Sequence, residues 1–183
     1  MSWSDFFGWA NILLKLILPG AVTGLIVTWI TARYAIKRLY EEKWWEKKLA
    51  AFTEATNHVY TVKRIQEYWQ AAAAAQEYQD YEFKKLSKEE EDALRVEYVA
   101  AFNEITRISH LASLTLTEAA GKLLTNYVVA ENAIFPAWWG DELTSHEATS
   151  RSTSLINALL PALLKEAQVA LKANKKSVKK PEA

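Results

Sequence analysis

Residues Leu16–Ile36 read LILPGAVTGLIVTWITARYAI, and their only charge, Arg33, lies near the end. At about 1.5 Å per residue a helix of this length spans roughly 30 Å, the thickness of a bilayer's hydrocarbon core. The stretch predicts a single transmembrane helix with a soluble domain after it. Elsewhere Ala, Leu, Glu and Lys abound while glycine and proline number only five and four, a mixture that favours long helices over a turn-rich β design. The expected fold class is all-α: an N-terminal transmembrane helix followed by a cytosolic up-and-down bundle of about four helices.

The flanks give the span a direction. Lys15 is the only base before it, whereas Arg33, Lys37, Arg38, Lys43, Lys47 and Lys48 crowd its far end. The positive-inside rule then places the N-terminus outside and the C-terminal domain in the cytoplasm, as a single-pass protein of a bacterial inner membrane. Residues 1–15 carry Trp3, Phe6, Phe7 and Trp9, a composition suited to an interfacial aromatic segment. Asp5 and the lack of a basic n-region argue against a cleaved signal peptide. Pro19-Gly20 marks the first turn of the span.

One face of the span goes beyond anchoring. Gly20, Gly24, Thr28 and Thr31 follow one another at helical spacing, and Gly20-Ala-Val-Thr-Gly24 is a small-residue motif that lets helices approach closely in lipid. These four residues are the candidate oligomerisation or pore-lining face.

Residues 37–173 are the expected cytosolic bundle. From Lys37 to about Lys85 neither glycine nor proline interrupts the chain, which predicts one very long helix leaving the membrane as a stalk. Trp45, Leu49, Phe52, Thr56, Val59, Val62, Gln66 and Trp69 advance along it by threes and fours. Five alanines, 71–75, suit close helix packing or an exposed linker. Ser87-Lys-Glu-Glu90 is a capping box for a second helix, with Leu94, Tyr98, Phe102, Ile105, Ile108 and Leu111/Ala112 facing inward. Thr115-Leu-Thr-Glu118 opens a third, which Pro136 should stop. Residues 137–145 are the expected loop, with Trp138 and Trp139 as candidates for a partner contact. Thr144-Ser-His-Glu147 opens the last helix, which offers Leu155, Leu159, Leu163, Leu164 and Val169 for burial. Pro161 should kink or split it near Ala158. Residues 174–183 are expected to be a disordered basic tail.

The chain has no cysteine, which excludes disulfides and thiolate metal sites. Equal numbers of acidic and basic residues, 22 each, run against a nucleic-acid partner. Glu54 precedes His58 by four and Glu142 precedes His146 by four, so each pair is expected to share a helical face. Neither spacing is the Glu-x-x-His of bundle metal sites, and no metal or cofactor is expected. Arg107 and His110 lie one turn apart. They are the only catalytic candidates, as a phosphate-binding pair of a ribonuclease-like bundle. No phosphate-cradling loop or nucleophile elbow is present, so an enzyme is not expected.

The aromatic junction Trp44-Trp-Glu-Lys-Lys48, between an N-terminal span and a helical domain, resembles small bacterial single-span inner-membrane proteins, among them the accessory membrane proteins of type VI CRISPR phage-defence systems. The resemblance implies an oligomeric protein that forms pores or perturbs the membrane in antiviral defence. Its partners would be the bilayer, further copies of itself and a cytosolic defence protein. The alternatives are a membrane-tethered interaction module without channel activity and a membrane-tethered ribonuclease-like bundle.

Overall fold

A computed structural model describes residues 3–79 and 82–178, and the side chains of 27–79 and 82–172. Four helices make it up: α1 (Trp3–Glu77), α2 (Lys88–Thr115), α3 (Glu118–Trp139) and α4 (Ser145–Val178). No strand occurs among the described residues, and the expected all-α class with four helices holds. The chain divides into two compact units, Met1–Trp44 and Trp45–Ala183.

In the first unit, Val27, Trp29, Ile30, Tyr34 and Ile36 are exposed. The Arg33 guanidinium lies 5.4 Å from the centroid of the Trp29 ring, a cation–π contact one helical turn long. The aromatic segment 1–15 and residues 16–26 of the expected span lie outside the residues whose side chains are described.

The second unit is a four-helix ring, with residues 45–77 supplying its first member. Arg107 donates to Glu54 at 2.6 Å and Arg64 to Glu97 at 2.6 Å, so this part of α1 and α2 are antiparallel. Tyr98 donates to Glu131 at 2.8 Å, while the Phe102 and Tyr127 rings meet at 6.2 Å, pairing α2 with α3 in the opposite sense. Ser152 and Thr117 donate to Glu131 and Glu166, both at 2.8 Å, and join α3 to α4. Lys63 closes the ring on Asn157 at 2.6 Å. The topology is up-and-down, as the short connections require.

Phe52, Ala55, Val59, Val62, Ala101, Ile105, Ile108, Leu124, Ile156, Leu159 and Leu163 are buried in one core. The inward stripes are shifted in places from the expected ones. Trp45, Leu49, Leu111, Leu164 and Val169 are exposed, while Ala55, Ile65, Ile156 and Ala167 are buried instead. α4 carries more apolar residues than its inward face holds: Leu155, Ile156, Leu159 and Leu163 are covered by the neighbouring helices, and Leu164 and Val169 are not. Where α2 and α3 approach most closely, a Cβ on Gly121 would lie 3.0 Å from that of Ala112. That is closer than Cβ atoms usually pack, so a larger residue at 121 would force α2 and α3 apart by a few tenths of an ångström.

Several helix ends differ from expectation. α1 stops at Glu77 rather than near Lys85, and Gln79 takes a left-handed backbone with φ 54°. The return loop is then tied to α1 where the Leu86 amide donates to the Tyr68 hydroxyl at 3.0 Å. Ser87 and Glu90 form both bonds of the capping box. The cap of α3 is Thr117, which accepts from the Ala120 amide at 3.1 Å, and not Thr115. Pro136 is accommodated inside α3, which continues to Trp139. Pro136 and Asn132 are exposed, so the carbonyl deprived of its donor faces solvent. α4 likewise runs through Pro161 without a break, and Pro161 is also exposed. α4 extends to Val178, so residues 174–178 of the expected tail are helical, and 179–183 lie outside the described residues.

Among the described residues, Ser145–Lys172 is the helix long and apolar enough to cross a membrane. Its apolar stripe of Ile156, Leu159, Leu163 and Ala167 lies in the bundle core, and Arg151, Lys165 and Glu166 interrupt the segment. A bundle helix with one buried apolar stripe passes the same test of length and hydropathy.

A left-handed residue other than glycine or asparagine costs about 1 kcal/mol. Gln79→Gly is therefore expected to raise the melting temperature by a few degrees, as read by circular dichroism. No rise would mean that the Gln79 side chain offsets the strain.

Candidate ligand-binding cleft

Glu131 sits on the inward line of α3 after Leu124, Tyr127 and Val128, where the other three helices supply donors to it. Its Oε1 accepts from Gln66 Nε2 of α1, Tyr98 hydroxyl of α2 and Ser152 hydroxyl of α4, each at 2.8 Å. Gln66 Nε2 also donates to the Tyr127 hydroxyl at 3.4 Å, and Thr153 donates to the backbone carbonyl of Gln66 at 3.4 Å. Every helix of the bundle thus touches this one carboxylate.

The network is satisfied on one side only. Glu131 Oε2 and Gln66 Oε1 are both buried and accept no hydrogen bond, although a buried acceptor left unmatched costs about 1–3 kcal/mol. Burial pushes the Glu131 carboxyl above the usual range, against the bonds from Ser152, Tyr98 and Gln66 that favour its charged form. The Tyr98 and Tyr127 hydroxyls are pushed up, first by burial and then by the nearby Glu131 charge, and remain protonated.

Glu131 and Gln66 form part of the lining of a cleft of about 920 Å³. Trp69, Phe102, Phe135 and Trp138 give it aromatic walls, and Ala72, Ala73 and Ala75 form one side. Three of the five alanines of the run thus line the cleft. Small residues there leave space that larger side chains would fill. Lys85, Glu91 and Arg95 also line the cleft, with Lys85 and Glu91 3.7 Å apart.

The residues singled out in the sequence fall elsewhere. Arg107 donates to Glu104 at 2.7 Å and to Glu54 at 2.6 Å, and these bonds, Glu104's first, hold it firmly protonated. His110 is exposed one turn further on. With its guanidinium engaged by two carboxylates, Arg107 is a poor partner for a phosphate beside His110. Glu54 and His58 do share a face, and with Glu104 they bring ligand atoms within 4.8 Å of one another. Arg107 bridges the two carboxylates there, so a metal ion would have to displace a cation already in place. Glu142 lies in the α3–α4 connection, and His146 approaches Glu77 (4.0 Å) instead.

Trp138 and Trp139 lie in the last turn of α3 rather than in a loop. Trp138 folds back, donating from its indole to the Ser145 hydroxyl at 3.2 Å and lining the cleft. Trp139 stacks on Phe135 at 5.9 Å and is 75% exposed. Thr28 and Thr31 are exposed on α1, while Gly20 and Gly24 fall outside the residues whose surroundings are described.

Gln66 belongs to the inward stripe already legible in the sequence. Glu131 was missed, and its signal was an acidic residue in the apolar run YVVAENAIF at helical register with Leu124 and Tyr127. No family model, curated protein or solved structure matches the chain.

Proposed function

We propose that this is a single-span inner-membrane protein, N-terminus outside, whose cytoplasmic four-helix bundle is a binding module held at the bilayer. The observation that carries the tether is the exposed apolar surface of Val27, Trp29, Ile30, Tyr34 and Ile36. Apolar helix surface of this extent is matched by lipid, and Arg33 beside Trp29 suits the interface, where a cation and an indole both keep polar contacts. The bundle supports the second half of the reading. It completes its own core within one chain and keeps a cleft around an incompletely satisfied carboxylate.

Because the chain has no cysteine, single-cysteine variants test the topology directly. Ser4→Cys is expected to react with an impermeant maleimide on intact spheroplasts, and exposed Ser154→Cys only after permeabilisation. Extraction of the protein by alkaline carbonate would overturn the span. Failure of Ser154→Cys to react after permeabilisation would point to α4 as the inserted helix.

A second reading keeps this topology and adds self-association that perturbs or perforates the membrane in phage defence. Thr31 and Ile30, exposed beside Val27, leave this stretch of helix open to another copy in continuity with Gly20 and Gly24. Gly24→Ile is then expected to shift the detergent-solubilised particle towards monomer and abolish protection against phage. An unchanged particle size would remove this reading and leave the tethered module.

A further inference from the structure

The geometry points to the Glu131 cleft as a binding site for a small organic ammonium: a monoamine with an aromatic or apolar body. The inference rests on the bundle being a binding module and is independent of the span. Two buried oxygens, Glu131 Oε2 and Gln66 Oε1, need donors. Gln66 is 2% exposed and both oxygens are closed to water even with the cleft empty, so an ammonium reaches them only as the Gln66 and Glu131 side chains rotate towards the cleft. A protonated amine supplies up to three donors and one positive charge, matching two acceptors of which one belongs to a carboxylate. Such a head would also lie among aromatic rings whose faces attract cations.

The size and lining of the cleft select against other ligands. About 920 Å³ is space for an organic molecule and far more than one ion needs. A divalent metal of the calcium or magnesium type takes six or more oxygens, and only two orphaned acceptors are offered here. An anion would face the Glu131 charge. Trp69, Phe102 and Phe135 provide flat apolar walls for the body of the ligand. Arg95, exposed on the same cleft, repels a second cationic centre and favours a monoamine over a polyamine. The alanine side, Ala72 and Ala73, leaves the entry open.

The test uses the full-length chain in lipid nanodiscs with three probes sharing one ring: tryptamine, indole and indole-3-propionate. Isothermal titration is expected to show tryptamine binding at least about tenfold more tightly than the other two, the worth of one charge-assisted hydrogen bond. Glu131→Gln keeps an oxygen for the three donors and removes the charge, and it should weaken tryptamine about tenfold or more without loss of helicity. Ala73→Leu, which keeps the carboxylate and fills the cleft, should weaken all three probes. If indole-3-propionate binds as well as tryptamine, or Glu131→Gln binds tryptamine unchanged, the ammonium assignment falls while the binding-module reading stands. If no probe binds at millimolar concentration, the ammonium assignment falls, and the binding-module reading is then judged by the topology test alone.

Discussion

Leu124→Ala should lower the stability of the bundle by about 3 kcal/mol, because a fully buried leucine truncated to alanine loses transfer free energy and leaves a cavity. Leu124 is 0% exposed and belongs to the single core cluster that all four helices share. For a bundle of this size the loss corresponds to roughly 10 °C in melting temperature. Val129, 65% exposed on the same helix, provides the control: Val129→Ala should stay within about 0.5 kcal/mol of the parent. Chemical denaturation of both variants separates a packed core from a loose one. A cost under 1 kcal/mol at Leu124 would mean that the site collapses freely, as it does in a molten bundle.

Parts of the fold around this core were legible in the sequence and parts were not. Helix number and class followed from scarce glycine, three capping-box patterns and the apolar period; Ser87-Glu90 and Thr144-Glu147 form the expected bonds, while the cap of α3 falls at Thr117 instead of Thr115. Ends without a conventional marker were not legible. α1 turns at Gln79 in a conformation that glycine usually marks. Pro136 looked like a stop and Pro161 like a kink or split, because proline removes a donor, yet helix continues through both on exposed faces. Sequence periodicity identifies which residues share a face and leaves open how much of an apolar surface a neighbour covers. Leu164 and Ile156 exchanged roles for that reason.

The cleft was hidden for a different physical reason. Arg107 and His110 carry the side-chain chemistry associated with phosphate, so they drew attention as a pair, and the structure engages Arg107 with Glu104 and Glu54 instead. Glu131 reads as one acid in an apolar helix. Its meaning comes from three donors on three other helices, spread over residues 66–152, and long-range convergence of that kind leaves no local pattern.

Glu131→Gln is expected to stabilise the bundle at neutral pH, while Glu131→Leu destabilises it. In the glutamine variant Oε1 still accepts from Gln66, Tyr98 and Ser152, and an amide N–H stands where Oε2 accepted nothing. Removing a buried charge and supplying a donor should gain about 1 kcal/mol or more. Leucine removes the acceptor and leaves three donors unmatched, costing about 2 kcal/mol or more at every pH. The pH dependence identifies the cause. Burial raises the folded carboxyl above its unfolded value of about 4.3, so the native state holds the proton more tightly than the unfolded chain does. Stability from this group is present below the unfolded value and is lost as pH rises towards the folded one. The gap between wild type and Glu131→Gln should therefore be smallest near pH 4, widen with rising pH and level off once the folded carboxyl has ionised. Lys85, Glu91 and Arg95 on the cleft are common to both proteins and largely cancel in the difference. A gap that is constant with pH, or a glutamine variant as unstable as the leucine one, would show that Glu131 is no strained buried acid. A stabilised Glu131→Gln that no longer binds tryptamine would mean that the carboxylate is kept for binding at a cost in stability, the trade expected of a functional site.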